Sequence, residues 1–172
     1  GAVARVFGRD TDAVFSAMQL IGLGNVVLLG LLATRLARSA WAGVFAVALA
    51  ITSPALMRVA ASEDMHNFAL LPGLAGLVCM EHHARTKMRA SLVASVISLG
   101  LMLHSRQTFY LFAPTAFLLG LAGGGLPMLR RPSFWVAGAA VLSVLVLRAA
   151  STAAVEGGAL PQILFVLREP RL

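Results

Sequence analysis

The chain has 172 residues, of which 59% are hydrophobic and only 12% charged, and its formal net charge is +7. Soluble domains carry about a quarter charged residues, so this composition indicates a protein whose solvent is largely lipid. The basic residues form short clusters between apolar runs, an arrangement of membrane proteins that argues against nucleic-acid binding. We therefore expect membrane lipids, and no nucleic acid, as partners.

The apolar runs predict an all-α, polytopic transmembrane helical bundle of about six spans. A helix needs roughly 20 apolar residues to cross the hydrocarbon core. The predicted spans lie near residues 13–34, 39–57, 66–80, 90–104, 107–129 and 133–148. We expect residues 1–172 to be a single transmembrane domain, with residues 149–172 as an extramembrane or interfacial tail. Because the sequence begins at Gly1 rather than Met, we expect it to be a fragment of a larger membrane protein.

Charge predicts the orientation of the bundle. The turns after the first, third and fifth spans hold seven basic residues: Arg35, Arg38, Arg85, Lys87, Arg89, Arg130 and Arg131. The turns after the second and fourth spans hold only Arg58 and Arg106. The excess of basic residues places the first set in the cytoplasm and the start of this segment on the outer side. We expect the membrane to be a bacterial inner membrane. Trp41 and Trp135 follow basic pairs and fit the same cytoplasmic interface.

The predicted outer turns carry the candidate site residues. Glu63 and Asp64 can contact a hydroxyl group or a divalent metal, and the simpler alternative is that they occupy the first turn of a helix capped by Ser62. Arg58 and Arg106 can bind a lipid-linked phosphate, and an interfacial arginine can equally well snorkel to the membrane surface.

Two further patterns have simpler interpretations. The sequence from Asp10 to Asp12 has the DxD form, but capping of the first helix explains it with fewer assumptions. His82 and His83 are adjacent, so they point in different directions on a helix and cannot share a metal as an i, i+4 pair would. We predict a solvated turn for the EHHARTK segment, residues 81–87.

Small and polar residues inside the spans predict close contacts between helices. Hydrogen bonds between helices are expected at Gln19, Asn25, Ser95 and Ser98, and close approach at Gly22, Gly24, Gly30, Gly73 and Gly76.

The order of several short phrases resembles the membrane core of GT-C class glycosyltransferases that use a polyprenyl phosphate, such as protein mannosyltransferases and aminoarabinose transferases. These phrases are Phe7-Gly8-Arg9, the basic turn from Arg35 to Arg38, Ser53-Pro54, Glu63-Asp64 and the short run from Phe68 to Met80. Arg106 followed by an apolar run with Pro114 also fits, so the resemblance covers about residues 6–125.

This resemblance implies an enzyme that transfers a sugar from a polyprenyl-phosphate carrier to a lipid or protein acceptor at the outer face. The catalytic acid of such enzymes lies in an outer loop upstream of the matching region, so the catalytic residue of this protein is not predicted. Glu63 and Asp64 would contact the acceptor or a metal, and Arg106, assisted by Arg58, the donor phosphate. The alternatives are a polytopic transporter or permease, for which charges deep within the spans are lacking, and a non-catalytic membrane subunit.

Overall fold

The computed structural model describes residues 11–54, 65–105 and 111–155, and this part of the chain is helical throughout, apart from short turns. Its elements are α1 (Thr11–Ala37), α2 (Ala40–Thr52), α3 (Met65–Thr86), α4 (Arg89–Ser105), α5 (Phe112–Gly124), a 3₁₀ helix (Leu126–Arg130) and α6 (Pro132–Val155). No strand occurs in these ranges, which confirms the all-α prediction for them. Each of the six α-helices overlaps one predicted span, and α6 runs seven residues into the predicted tail.

One helix of the described segments is long and apolar enough to cross a membrane. It is α1, in which Phe15–Ala37 form a stretch of 23 residues with a mean hydropathy of 1.8. The apolar parts of α2, α4, α5 and α6 are shorter, between 10 and 17 residues. A bundle in which all six helices span the membrane therefore stays a prediction.

The outward faces of the helices are apolar. Leu20 and Leu23 on α1 are 67% and 60% exposed, and Val146 and Leu147 on α6 are 65% and 68% exposed. Such large side chains are unfavourable in water when they form continuous surfaces, whereas lipid accommodates them. The exposed faces thus fit a hydrocarbon solvent.

Helix α3 lies at the centre of the packing. It contacts α1, α4 and α5, while α6 packs mainly along α4. The core between these helices is formed by small and flexible apolar side chains, and Ala69, Met102 and Leu103 are completely buried. Met128, from the 3₁₀ helix, closes the same core and is also completely buried.

The antiparallel pair of α3 and α4 is held by a close approach at Gly76. The Ser95 hydroxyl donates a buried hydrogen bond of 2.8 Å to the carbonyl oxygen of Gly76. A Cβ atom on Gly76 would lie 2.8 Å from Leu99 Cγ, which is closer than carbon atoms pack. The α1–α2 pair is similarly close, since a Cβ on Gly30 would lie 2.6 Å from Val47 Cγ2. These contacts confirm the predicted roles of Ser95, Gly76 and Gly30.

Two helix–helix turns place a basic residue in left-handed backbone conformation. Arg38, between α1 and α2, has φ of 52°, and Lys87, between α3 and α4, has φ of 61°. Glycine is the usual residue at such helix ends, and an L-residue there costs about 1–2 kcal/mol. The positive charges of Arg38 and Lys87 lie beside helix C-termini, where the helix dipole stabilises them and offsets this cost.

Candidate functional site

The four residues predicted to form the site, Arg58, Glu63, Asp64 and Arg106, lie outside the described residues. Their neighbours in sequence are nevertheless placed. Helix α3 begins at Met65, directly after Asp64, and α4 ends at Ser105, directly before Arg106. The Asp10-Thr11-Asp12 segment is similarly divided, since α1 begins at Thr11 and Asp10 lies outside the described part.

The helix ends that flank the predicted site lie at the same end of the molecule. Helices α3 and α4 are antiparallel and joined by the tight turn at Lys87 and Met88. At 1.5 Å per residue, Met65 is about 32 Å and Ser105 about 24 Å along its helix from that turn. The Glu63–Asp64 segment directly precedes α3 in the sequence, and Arg106 directly follows α4. Both are therefore attached to the same end of one helical hairpin.

The opposite end, here called the basic end, collects the seven basic residues of the three predicted cytoplasmic turns: Arg35, Arg38, Arg85, Lys87, Arg89, Arg130 and Arg131. Contacts tie the turns together. Arg85 donates a hydrogen bond to the backbone carbonyl of Arg35, which joins the first turn to the second. Lys87 Nζ lies 3.7 Å from Met128 Sδ, which joins the second turn to the 3₁₀ helix. The three turns therefore lie at one end of the described part of the molecule, and their location in the cytoplasm stays a prediction.

A buried carboxylate organises one half of the basic end. Glu81 is 3% exposed, and its side chain pairs with Arg85 one turn later and with Arg35 of α1, whose Nη1 lies 3.6 Å away. Both guanidinium groups remain partly exposed, at 35% and 40% of the side-chain surface. Glu81 thereby offsets the repulsion between two arginines and links α1 to α3.

The prediction of a solvated turn at residues 81–87 is wrong for Glu81 and His83. Helix α3 continues through this segment to Thr86, so that every third or fourth residue faces the bundle. His83 is 3% exposed, and its Nδ1 atom lies 2.8 Å from the Met88 carbonyl oxygen. The spacing of four between Glu81 and Arg85 was the signal in the sequence for a helical ion pair.

The other half of the basic end is formed by Lys87, Arg130 and Arg131. Lys87 donates a hydrogen bond to the Ala84 carbonyl, and burial lowers the pKa of its ammonium group, with the nearby Arg131 charge acting in the same direction. Arg130 and Arg131 are exposed, and no carboxylate of the described residues pairs with them. This half of the basic end is an unneutralised patch of positive charge.

A cavity of about 410 Å³ lies between α4, α5 and α6, with one side formed by Met80 of α3. Its inner wall includes buried residues such as Leu99 and Ala116, and its rim includes the exposed Trp135 and Leu142. Every side chain that lines the cavity is apolar, apart from the indole of Trp135. This cavity has no signature in the sequence, because its wall combines residues from four helices.

The described residues offer no metal centre, because nowhere among them do three or more His, Cys, Asp or Glu side chains lie close together. Glu63 and Asp64, the residues for which a divalent metal is considered, lie outside the described ranges.

The chain matches a known protein family. The family model described as dolichyl-phosphate-mannose-protein mannosyltransferase matches residues 1–149. No curated protein and no solved structure matches the chain.

Proposed function

We propose that this chain, which belongs to the dolichyl-phosphate-mannose-protein mannosyltransferase family and is a GT-C class membrane core, takes part in sugar transfer from a polyprenyl-phosphate carrier. The acceptor is a lipid or a protein at the outer face of the membrane. The single observation that carries this proposal is the family match, which covers 149 of the 172 residues.

We assign the polar segments next to α3 and α4 to the reaction. Glu63 or Asp64 contacts the acceptor hydroxyl, or a divalent metal, and Arg106 binds the donor phosphate with assistance from Arg58. Negative charge develops on the phosphate as the sugar departs, and a fixed guanidinium group stabilises that charge. The antiparallel packing of α3 and α4 supports this assignment, because it brings Met65 and Ser105 to one end of the molecule.

We further propose that the chain is a bundle of about six spans in a bacterial inner membrane, with the basic end in the cytoplasm. The long apolar helix α1 and the apolar outer faces of α1 and α6 support membrane insertion. The positive charge collected at the basic end supports the orientation. In this orientation the reaction takes place at the opposite end, on the outer side.

Substitution of Arg106 tests the proposed role in donor binding. We expect Arg106→Ala, in the full-length protein in native membranes, to reduce sugar transfer from a polyprenyl-phosphate donor by about 100-fold, as loss of one fixed charge donor commonly does. Arg106→Lys retains the charge without bidentate geometry and should retain part of the rate. Transfer of radiolabelled sugar, normalised to the amount of protein in the membrane, measures both.

The matched control is Arg89→Ala. Arg89 is the first residue of α4 and is exposed, so this variant removes the same charge from the opposite end of the helix that leads to Arg106. It should leave the rate within a factor of about two. Equal activity of the Arg106→Ala and Arg89→Ala proteins would show that Arg106 does not bind the donor.

A further inference from the structure

We propose that the cavity between α4, α5 and α6 holds one acyl chain of an anionic phospholipid from the leaflet at the basic end, with the lipid phosphate at Lys87, Arg130 and Arg131. This lipid is a bound structural ligand rather than a reactant, and the choice of a phospholipid over the polyprenyl-phosphate donor rests on the proposed function.

The shape and lining of the cavity suit a hydrocarbon chain. Its volume is about 410 Å³ and its walls are apolar. Along α6 it extends from Phe134 to Leu142, a rise of about 12 Å. Trp135 and Leu142 are 54% and 56% exposed, so the cavity opens on the outward face of the bundle, where lipid chains are the solvent.

Gly138 keeps the cavity open. This residue lies midway along the α6 wall, and a Cβ atom built on it would meet no other atom within 4 Å. Helix–helix contact therefore does not account for the glycine at this position. A chain lying in the cavity would pass next to the Gly138 backbone.

Charge at one end of the cavity identifies the headgroup. Arg130 and Arg131 immediately precede α6 and are exposed, and Lys87 lies close enough to Arg131 for the two charges to repel. Glu81 is the one acidic residue of the described segments at this end, and it is already paired with Arg35 and Arg85. A lipid phosphate would offset part of the remaining charge, and phosphate is an anion that arginine binds with two parallel hydrogen bonds.

Trp135 connects the charged patch to the cavity. Its Nε1–H group donates a hydrogen bond of 2.8 Å to the carbonyl oxygen of Leu129, in the same 3₁₀ helix that carries Arg130. Its ring lies 5.9 Å from that of Phe117 on α5, and both rings line the cavity. A single lipid can thus place its phosphate on the basic residues and its chain past Trp135 into the cavity.

The polyprenyl-phosphate donor is a different ligand with a different place. Its phosphate is assigned above to Arg106, the residue that directly follows α4 in the sequence, and α4 ends at Ser105, far from the basic end. The phosphate of a lipid at Arg130 and Arg131 would be separated from Ser105 by about the length of α4, roughly 24 Å. We therefore assign the cavity to a phospholipid of the leaflet at the basic end.

Lipid retention tests the proposal. The full-length protein is delipidated in mild detergent and exposed to phosphatidylglycerol, phosphatidylcholine or undecaprenyl phosphate, and the bound lipid is measured by native mass spectrometry. We expect phosphatidylglycerol to be preferred over phosphatidylcholine, and the double variant Arg130→Gln/Arg131→Gln to lower its affinity about 25-fold, or roughly fivefold per arginine. Gly138→Leu should reduce retention of both phospholipids, whereas the matched Gly138→Ala should not.

A fluorescence measurement tests the same proposal without the Gly138→Leu variant, so its result does not depend on whether that variant folds. In a Trp41→Phe background, phosphatidylglycerol with brominated acyl chains should quench the Trp135 emission, and the Trp41→Phe/Trp135→Phe protein supplies the blank. Equal retention of phosphatidylglycerol and phosphatidylcholine, or no quenching of Trp135, would overturn the proposal. Displacement of phosphatidylglycerol by an equal concentration of undecaprenyl phosphate would also overturn it and assign the cavity to the donor.

Discussion

Lys87 combines three constraints in one residue. Its backbone is left-handed, its ammonium group donates a hydrogen bond to Ala84, and the Arg131 charge lies nearby. Burial removes water from the ammonium group, so the pKa of Lys87 is lowered, and repulsion from Arg131 lowers it further. The folded protein therefore binds this proton more weakly than the unfolded chain does.

The sign of the resulting pH dependence follows from proton linkage. Because the unfolded chain binds the Lys87 proton more tightly, stability should rise as the pH increases through the interval between the lowered pKa and the ordinary lysine value. The midpoint of thermal unfolding in detergent, followed from neutral to alkaline pH, measures this. Lys87→Arg keeps a charge that does not titrate there, so the difference between wild type and variant isolates the lysine. Parallel curves for the two proteins would contradict the prediction.

Glu81 illustrates what could be predicted from single residues and what could not. Its spacing of four from Arg85 is visible in the sequence, but Arg35 lies on another helix and its approach depends on the packing of α1 against α3. The adjacent charged and histidine residues favoured a solvated turn, yet the helix carries Glu81 and His83 to the buried face. Pairing with two arginines offsets the cost of burying the carboxylate.

At the scale of elements, the contact between α3 and α4 depends on the absence of a side chain at Gly76. A methyl group there would lie 2.8 Å from Leu99 Cγ and 3.3 Å from the Ser95 carbonyl oxygen. The Leu99 side chain can adjust, but the backbone oxygen cannot move without separating the helices. The same displacement would lengthen the hydrogen bond from Ser95 to Gly76.

We expect Gly76→Ala to destabilise the protein by about 1–3 kcal/mol, the usual cost of overpacking. For a chain of this size, each kcal/mol lowers the unfolding midpoint by about 2–4 °C. Gly100→Ala is the control, because a Cβ at Gly100 would lie at an ordinary 3.6 Å from Val144 Cγ2. That variant should be neutral or slightly stabilising, since alanine favours helix. Equal midpoints for the two variants would exclude a special role for Gly76.

The helices themselves were predictable because long apolar runs separated by basic clusters have few alternative structures. Their ends were less predictable. The predicted third span stops at Met80, whereas α3 continues to Thr86, since the polar residues of its last turns are stabilised by neighbouring helices. The cavity could not be predicted, because it arises where α6 follows α4 rather than α5. The assigned reaction residues stay predictions, as they lie outside the described ranges.

At the scale of the whole molecule, the two ends differ in charge, and this difference predicts the orientation in the membrane. Single cysteines in a Cys79→Ser background test it. We expect Ser105→Cys, at the end of α4, to react with a membrane-impermeant maleimide in intact cells. Ser39→Cys, in the turn between α1 and α2, should react only after the cells are permeabilised. The reverse pattern would place the basic end outside and contradict the proposed outer location of the reaction.

The tight α1–α2 hairpin also bears on how the protein enters the membrane during synthesis. Helix α1 has 23 residues suited to crossing alone, whereas α2 rises only about 20 Å over its 13 residues. The two are joined by a two-residue turn closed by a hydrogen bond of 3.2 Å from the Ser39 N–H to the Thr34 carbonyl oxygen. We infer that α1 is the segment the insertion machinery recognises, and that α2 follows it as the second arm of a preformed pair. The two-residue turn would then fix the direction of α2 relative to α1 as the pair enters the membrane.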